Sequence, residues 1–498
     1  MSADKKSLDR LGQLSRRSML LSGGLGLGSV ALAGLMGSRA FGSAGRGAGP
    51  AAASAPAAVA NKGAMVAGQF PARAKRVIWI HMWGAVSQVD TFDYKPTLIK
   101  MHGQEIPPSV KNKGGRVSAM SNAQASFPLI KPLREFRQYG QSGAWVSDLM
   151  PYTGRIADDL AFIHSVSTEH VNHDPAAKFL HTGFQLSGRP SAGAWVNYAL
   201  GSDNDNLPSF VVLASVGTPA GQGVDAGAFG SGFLPSHFQG VQFRSGADPV
   251  LYVSNPGGVE KSDRRAELDA ISRIAHAQYE SSGDPEILSN IMQYEMSYRM
   301  QDSVPEVSDI SNEPQHILDL YGPDVLKPGS FAKNCLLARR LAERNVKFIQ
   351  VIHTGWDHHT DIALRHPQDC LSVDQPSAAL VQDLKQRGLL EDTLIIWGSE
   401  FGRTSFAQGQ ITGNFGRDHH GGCFTYWMAG AGVNAGHAYG QTDDFAYNIV
   451  DKPMPIHDLH ATVLYALGID HKALTFHYQG RDFRLTDVSG EIHHGVFA

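Results

Sequence analysis

The sequence predicts an α/β fold with a mainly parallel central sheet and helices on both of its faces. Short apolar runs rich in β-branched residues alternate along the chain with longer segments of helical periodicity. This alternation is typical of parallel strands that are buried on both faces between crossover helices. The length of 498 residues and the hydrophobic content of 42% suit a large α/β domain with insertions.

The first predicted strand is residues 76–82, because the run Arg-Val-Ile-Trp-Ile-His-Met is short, apolar and β-branched. A helix over 171–182 follows, and Gly183 ends it. By the same criteria the later predicted elements are strands at 210–213, 346–352, 394–397 and 424–428 and helices at 263–280, 285–301, 329–345, 374–388 and 457–467. The segment 201–310 is Gly-rich and then helical, and we interpret it as an insertion or cap on a domain that spans 70–498.

The N-terminus carries a twin-arginine pattern, Ser15-Arg16-Arg17-Ser18-Met19-Leu20. The 21 uncharged residues between Arg17 and Arg39 are enough to span a bilayer, but six of them are glycines, which suits an export signal better than an anchor. We therefore expect a signal at 1–44 and a flexible linker at 45–69. The expected location is periplasmic or extracellular, with no stable membrane span after signal removal; a retained anchor is the alternative.

The charge balance excludes one class of partner. The chain has 43 Lys and Arg against 47 Asp and Glu, and residues 1–44 account for six of the basic and two of the acidic residues. The rest of the chain therefore carries a formal charge near −8, which does not suit nucleic-acid binding. Three cysteines without CxxC spacing predict neither a disulfide framework nor a thiolate zinc site.

Histidines and carboxylates cluster in segments that adjoin the ends of predicted strands. Residues 353–361 follow one strand, 398–404 follow the next, and 416–421 precede the last. Ligands of open α/β sheets bind at the carboxyl edge of the strands, so these three segments are expected to meet there. Mixed imidazole and carboxylate ligands favour a divalent metal, zinc first, with manganese, calcium or iron as alternatives. Taken singly, each motif is also compatible with a solvated loop.

The spacings of these histidine and carboxylate motifs resemble those of the alkaline phosphatase/sulfatase-like superfamily. Within it, they look most like the branch of twin-arginine-exported proteins of unassigned function. The run 393–402 (Thr-Leu-Ile-Ile-Trp-Gly-Ser-Glu-Phe-Gly) and the Asp357-His358-His359 triplet look like two metal-binding loops of that superfamily. His419-His420-Gly421 looks like a later ligand motif. The segments that resemble the superfamily's closing stretches or hallmarks of the branch are 430–436, 455–469, 83–93 and 400–404.

The sequence also departs from the superfamily pattern. At the spacing where sulfatases carry the cysteine that becomes formylglycine, this chain has His173, with Ala177 in place of the motif's arginine. Phe401 replaces a metal-binding histidine, and Glu400 stands for the usual aspartate. Formylglycine or covalent phosphoryl chemistry is therefore not expected, and the two-metal site of the superfamily is rebuilt or incomplete.

The resemblance implies a metal-dependent hydrolase of sulfate or phosphate esters, acting on a small molecule or a polysaccharide. Asp357, His359 and His419 would hold one metal, with Glu400 and either His173 or Asp174 at a second position. The implied catalytic residues are His173, Arg403 and Asp174, the implied metal ligands are Asp357, His359, Glu400 and His419, and further candidate ligands are His170, Asp90 and His420.

Two questions stay open at the level of sequence. Arg403 either clamps an anionic group of the substrate or pairs with Glu400. The protein as a whole is either the hydrolase described above or a degenerate, non-catalytic member that binds a polysaccharide or a partner protein in the cell envelope. A metallo-oxidoreductase or a metal-delivery protein is a weaker third hypothesis. The sequence does not predict the oligomeric state.

Overall fold

The computed structural model describes residues 68–113, 118–218, 223–244, 249–251, 253–411 and 413–498. These residues lie within one compact unit, Ala60–Ala498. The predicted signal at 1–44 and nearly all of the predicted linker at 45–69 lie outside the described residues.

The strands are numbered in chain order. They are β1 (Arg76–Trp83), β2 (Phe136–Tyr139), β3 (Ala144–Ser147), β4 (Leu160–Ser167), β5 (Phe210–Val216), β6 (Val241–Phe243), β7 (Phe348–Thr354), β8 (Thr393–Gly398), β9 (Gly402–Gln408), β10 (Gly416–His420), β11 (Phe424–Ala429), β12 (His437–Tyr439), β13 (Gln441–Thr442), β14 (Ile449–Asp451), β15 (Met454–Pro455), β16 (Phe476–Tyr478) and β17 (Arg481–Phe483).

The α-helices are numbered in the same way. They are α1 (Gln88–Thr91), α2 (Pro96–Lys100), α3 (Pro108–Lys111), α4 (Ala119–Asn122), α5 (Pro151–Arg155), α6 (His173–Thr182), α7 (Ala192–Leu200), α8 (Lys261–Ser282), α9 (Pro285–Ser308), α10 (Gln315–Tyr321), α11 (Phe331–Glu343), α12 (Ile362–Gln386) and α13 (Ile456–Ala466). Among the described residues, no helix combines the length and the apolarity needed to cross a membrane.

Nine strands form the central sheet, in the order β12-β4-β11-β8-β1-β7-β5-β6, with β15 added beside β4. All pairings in it are parallel except those of β11, which is antiparallel to both β4 and β8. The predicted fold class, a mainly parallel α/β sheet with helices on both faces, is confirmed. Because β11 runs against its neighbours, the segment before it lies at the edge where the parallel strands end.

Hydrophobic side chains pack on both faces of the central sheet, and the residues of β1 alternate between the two faces. Ile78, Ile80 and Met82 belong to one hydrophobic cluster. Val77 and Trp79 belong to the cluster on the opposite face of the sheet. Successive side chains of a strand point to opposite faces, so a strand between two helical layers is apolar on both.

The structure confirms the existence of each predicted strand and helix and corrects some bounds. The helix predicted at 374–388 begins twelve residues earlier, at Ile362, and contains Pro367 and Pro376. Each proline removes only one backbone donor, and burial of the apolar face keeps the helix continuous across both.

Two parts of the sheet region differ from the predicted loops. Residues 402–408 and 416–420 form the antiparallel pair β9–β10, where the sequence suggested open segments. Within the segment 201–310, β5 and β6 join the central sheet, while α8 and α9 pack on each other as a helical hairpin. The cap interpretation of that segment stays a prediction.

Candidate metal centre

Four side chains converge at the carboxyl edge of the sheet. His173 begins α6, Asp357 and His359 lie on the loop after β7, and His419 lies on β10. One ligand atom from each lies within 4.8 Å of the ligand atoms of the other three. Residues of these types at this spacing could hold a metal ion. Asp357, His359 and His419 are three of the four metal ligands expected from the sequence, and His173 joins them.

The three imidazoles are each held at the Nδ1 nitrogen by an oxygen acceptor. The distances are 2.6 Å from His173 to Oε1 of Glu400, 2.5 Å from His419 to the carbonyl of Val171, and 2.5 Å from His359 to Oε1 of Gln408. A carboxylate or carbonyl oxygen can only accept, and Gln408 accepts through its amide oxygen, so each Nδ1 carries the proton. In the neutral imidazole, each Nε2 then presents a lone pair.

These three lone pairs face one carboxylate oxygen. Oδ1 of Asp357 lies 3.1 Å from Nε2 of His173, 2.9 Å from that of His359 and 3.3 Å from that of His419. Nε2 of His173 is buried and makes no hydrogen bond to any described residue. Oδ1 of Asp357 also accepts from the Arg403 guanidinium at 2.8 Å, and a further cation, a proton or a metal ion, would stabilise the three lone pairs around it. The donor set and the second hydrogen bond of each histidine would suit a metal ion.

The pKa shifts of the clustered side chains are consistent with this arrangement. Burial would raise the pKa of Asp357, but the neighbouring His173, His359, His419 and Arg403 hold it well below its usual value. For His173, burial lowers the pKa, yet the carboxylates of Asp357 and Glu400 outweigh it and raise the pKa. Burial, together with the nearby cations and despite Asp357, lowers the pKa of His419 to about 4. The centre thus keeps its carboxylate ionised.

Glu400 lies behind His173 rather than in the cluster. Its Oε1 accepts from the backbone N–H of Gly84 at 2.9 Å as well as from His173, and its Oε2 lies 3.0 Å from Nε2 of His81. Although burial would raise the pKa of Glu400, hydrogen bonds from His173 and His81 hold it well below its usual value. Glu400 is therefore an ionised acceptor that orients His173.

Arg403 is built into the wall of the centre. Its guanidinium is 1% exposed and donates to Asp357 at 2.8 Å, to the carbonyl of Ala85 at 3.1 Å and to the carbonyls of Gly84 and Trp356. The sequence left two roles for Arg403, binding an anionic group of the substrate or pairing with Glu400. The structure shows an ion pair, but the partner of Arg403 is Asp357 and not Glu400. A guanidinium committed to these acceptors positions the ligand carboxylate and is not placed to receive a substrate.

Phe401 closes one side of the centre. Its ring lies 4.8 Å from the ring of His173 and 4.5 Å from that of His419, and it is fully buried. The side chains of Asp357 and His359 are 17% and 20% exposed. Access from solvent is therefore on the side of these two residues.

The remaining candidates make contacts away from the cluster. Asp90 is buried in an ion pair with Arg417 at 2.8 Å, and Nε2 of His420 lies 2.8 Å from the carbonyl of Tyr447. Asp174 pairs with Lys178 at 2.7 Å on the surface of α6. The ring of His170 packs edge-on against Phe179 at 4.9 Å.

Two buried histidines beside the centre are absent from the sequence-based candidates. His81 lies within the apolar run of β1, and Nε2 of His181 lies 2.8 Å from its Nδ1. The sequence contains one indication that His81 belongs to this site. An imidazole in a strand that is buried on both faces needs a polar partner, and the neighbouring strand end carries a carboxylate.

Comparisons with known proteins found one family model and several distant solved structures. No curated protein matches the sequence of this chain. Among solved structures, the chain is similar to Ps i-CgsB in complex with k-i-k-neocarrahexaose, with 11% identity over 79% of this chain and 72% of that one and a TM-score of 0.34. It is similar to a protein in the alkaline phosphatase superfamily from Vibrio parahaemolyticus, with 10% identity over 82% and 72% and a TM-score of 0.33. It is also similar to the PsFucS1 sulfatase from Pseudoalteromonas sp., with 15% identity over 79% and 68% and a TM-score of 0.30.

TM-scores this low carry no argument about the fold or the activity of this chain. The family match is more extensive, because residues 74–497 fit one family model and include all four residues of the cluster. The chain belongs to that family, which is described as a protein of unknown function (DUF1501).

Proposed function

We propose that the protein is an exported metal-dependent hydrolase of sulfate or phosphate esters, with a metal site formed by His173, Asp357, His359 and His419. The observation that carries the proposal is the array of three Nε2 lone pairs around one carboxylate. The choice of ester rests on the resemblance of the segments 357–359 and 393–402 to the alkaline phosphatase/sulfatase-like superfamily.

The donor set fits zinc best, because three imidazoles and a carboxylate suit a tetrahedral zinc ion. Manganese and iron accept similar ligands and are the alternatives. When bound, such an ion supplies a Lewis acid at this point and makes water there more acidic.

The chain's own residues then have distinct roles. His173 stands at the start of α6, where the superfamily pattern places a nucleophile, and its Nδ1 proton is held by Glu400. This side chain offers no hydroxyl or thiol, and its Nε2 is assigned to the metal ion, so water is the proposed attacking group. Arg403 keeps Asp357 in place, and Phe401 excludes water from the buried side of the cluster.

Metal analysis of the purified full-length protein tests the proposal. We expect close to one equivalent of a transition metal, since a built site is filled near stoichiometry. His173→Ala and Asp357→Ala should lose the metal and at least about 100-fold of aryl sulfate or aryl phosphate hydrolysis. His477→Ala is the matched control, because His477 is an exposed histidine paired with Asp482 far along the chain. Less than about 0.2 equivalents after incubation with zinc, manganese or iron would contradict the proposal.

A non-catalytic role has one observation in its favour. A polar groove of about 1140 Å³ has walls that include Phe179, Lys472 and the carboxylates of Glu169, Asp458 and Glu491. Carboxylates that accept from hydroxyl groups, beside an aromatic ring, suit a polysaccharide. The four residues of the cluster are not among its described walls. Saccharide binding that survives in a metal-free protein without hydrolytic activity would favour this second function.

A further inference from the structure

Three buried side chains continue inward from His173 and form what we term the relay: Glu400, His81 and His181. Nε2 of His81 lies 3.0 Å from Oε2 of Glu400, and Nε2 of His181 lies 2.8 Å from Nδ1 of His81. Glu400 and His81 have no exposed surface, and His181 is 2% exposed. Residues from β1, from the C-terminal half of α6 and from the loop after β8 thus meet behind one ligand of the centre.

The protons of the relay are fixed by the carboxylate. Oε1 of Glu400 lies 2.6 Å from Nδ1 of His173 and Oε2 lies 3.0 Å from Nε2 of His81, and we assign the proton of each contact to the imidazole. The backbone N–H of Gly84 is a third donor, at 2.9 Å from Oε1. Nδ1 of His81 and Nε2 of His181 then share one further hydrogen bond. Gln350, whose Nε2 lies 3.4 Å from Nδ1 of His181, closes the inner end.

Most of the acceptor capacity of this carboxylate is already used. Two donors occupy Oε1 and one occupies Oε2, and all three are rigid groups of the backbone or of packed rings. A second ion at Glu400 would find one lone pair left, on Oε2. The residue beside it, Phe401, offers no ligand atom in place of the imidazole that the superfamily pattern places there.

We propose that the centre binds a single metal ion, and that His81 and His181 are positioning residues that act through Glu400 to keep Nε2 of His173 turned toward that ion. The proposal rests on the proposed function for the presence of the ion, and it adds the number of ions and the residues that set its affinity. It replaces the expectation from sequence that Glu400 ligates a second metal.

Zinc titration of the metal-stripped full-length protein tests the number of ions, read by native mass spectrometry. One ion should bind tightly, and a second ion of similar affinity would overturn the proposal. No bound zinc, and no bound manganese or iron in the same titration, would overturn the proposed function and with it the single-ion assignment. The positioning role is then still tested in the metal-free protein by the spectrum described below.

Substitutions at His81 test the positioning role. His81→Phe removes the donor to Glu400 and should weaken zinc binding 10- to 100-fold in chelator competition. His81→Gln can donate and accept through its amide and should recover part of that loss. The matched control is His460→Phe, because His460 is equally buried and its Nε2 binds the carbonyl of Leu180, outside the relay. Equal zinc affinities for wild type, His81→Phe and His460→Phe would overturn the positioning role.

A spectroscopic signature separates positioning from general stability. In the metal-free protein, ¹⁵N spectra should show His173 protonated at Nδ1. In Glu400→Gln the amide can turn its N–H₂ toward Nδ1, and the population protonated at Nε2 should rise. An unchanged His173 spectrum in a folded Glu400→Gln protein would show that Glu400 does not set this tautomer, and would overturn the role assigned to the relay.

Discussion

At the scale of residues, the centre depends on how closely the backbone approaches itself around Asp357. Gly84 has φ +113°, and a Cβ atom there would lie 2.7 Å from the backbone nitrogen of Asp357. Its N–H also donates to Glu400 and its carbonyl accepts from Arg403. One glycine therefore connects the end of β1 to Asp357, to the relay and to the arginine that pairs with Asp357.

Gly84→Ala should therefore weaken metal binding more than the addition of one methyl group would suggest. The new methyl group meets backbone atoms that cannot rotate away, and φ +113° is strained for alanine, so Asp357 must shift. We expect at least a tenfold loss of zinc affinity, measured by chelator competition, and a loss of more than about 1 kcal/mol in the free energy of unfolding. Gly388→Ala is the control, because Gly388 has φ +68° with open space around its Cβ position. Equal effects of the two substitutions on affinity would contradict the prediction.

The residues of the cluster were partly predictable. Asp357, His359 and His419 stand in loops and strand ends that the fold class brings together, so spacing and topology sufficed. His173 was expected at the centre because of its place in a motif, but only the three-dimensional structure shows its Nε2 beside Asp357. The contacts of Glu400 and His81 were not predictable, because a hydrogen bond between β1 and the end of β8 depends on side-chain direction within a buried layer.

At the scale of elements, the β9–β10 pair carries both Arg403 and His419 into the centre. A buried ion pair between Arg417 on β10 and Asp90 on α1 connects these two strands to the rest of the fold. Neither side chain of the pair is exposed. Arg417 contacts both carboxylate oxygens, at 2.8 and 3.2 Å. Burial would raise the pKa of Asp90, but Arg417 and its hydrogen bonds lower it. Asp90, a candidate metal ligand in the sequence analysis, therefore anchors β10 through this ion pair.

Removing one partner of this pair should be costly. Arg417→Met leaves the Asp90 carboxylate buried without its cation, and the free energy of unfolding should fall by about 3–5 kcal/mol in urea denaturation. Asp90→Asn in the same protein removes the uncompensated charge and should restore part of that loss. Strictly additive losses in the double variant would show that the two groups are not coupled.

The elements themselves followed from the sequence where hydrophobic pattern and length agreed, as for β1, β7, β8 and α13. The β9–β10 pair was not recognised, since its polar side chains face the centre and break the alternation typical of a strand. α12 was predicted too short because Pro367 and Pro376 usually end helices. In both places tertiary contacts decide the local structure.

At the scale of the whole molecule, the high histidine content has a consequence for stability that is separate from metal binding. Several histidines are buried and neutral in the core, away from the four-residue cluster. Burial lowers the pKa of His353 and His420 to about 4 and that of His366 and His460 to about 3. These four side chains are at most 2% exposed, so folding holds them in the uncharged form.

The protein should therefore lose stability in mild acid. An unfolded histidine takes up a proton below about pH 6.5, whereas these folded ones resist until pH 3 to 4. The lowered pKa values therefore cost no stability above pH 6.5 and cost increasingly more as the pH falls toward 4. At pH 5.5 each should cost about 1.4 kcal/mol, and the four together about 5–6 kcal/mol. Urea denaturation of the metal-free protein at pH 7.5, 6.5 and 5.5 measures this slope, and His460→Gln should reduce it by about one proton. A free energy of unfolding that is the same at pH 7.5 and 5.5 would show that the buried histidines titrate alike in both states, and that the core does not keep them neutral.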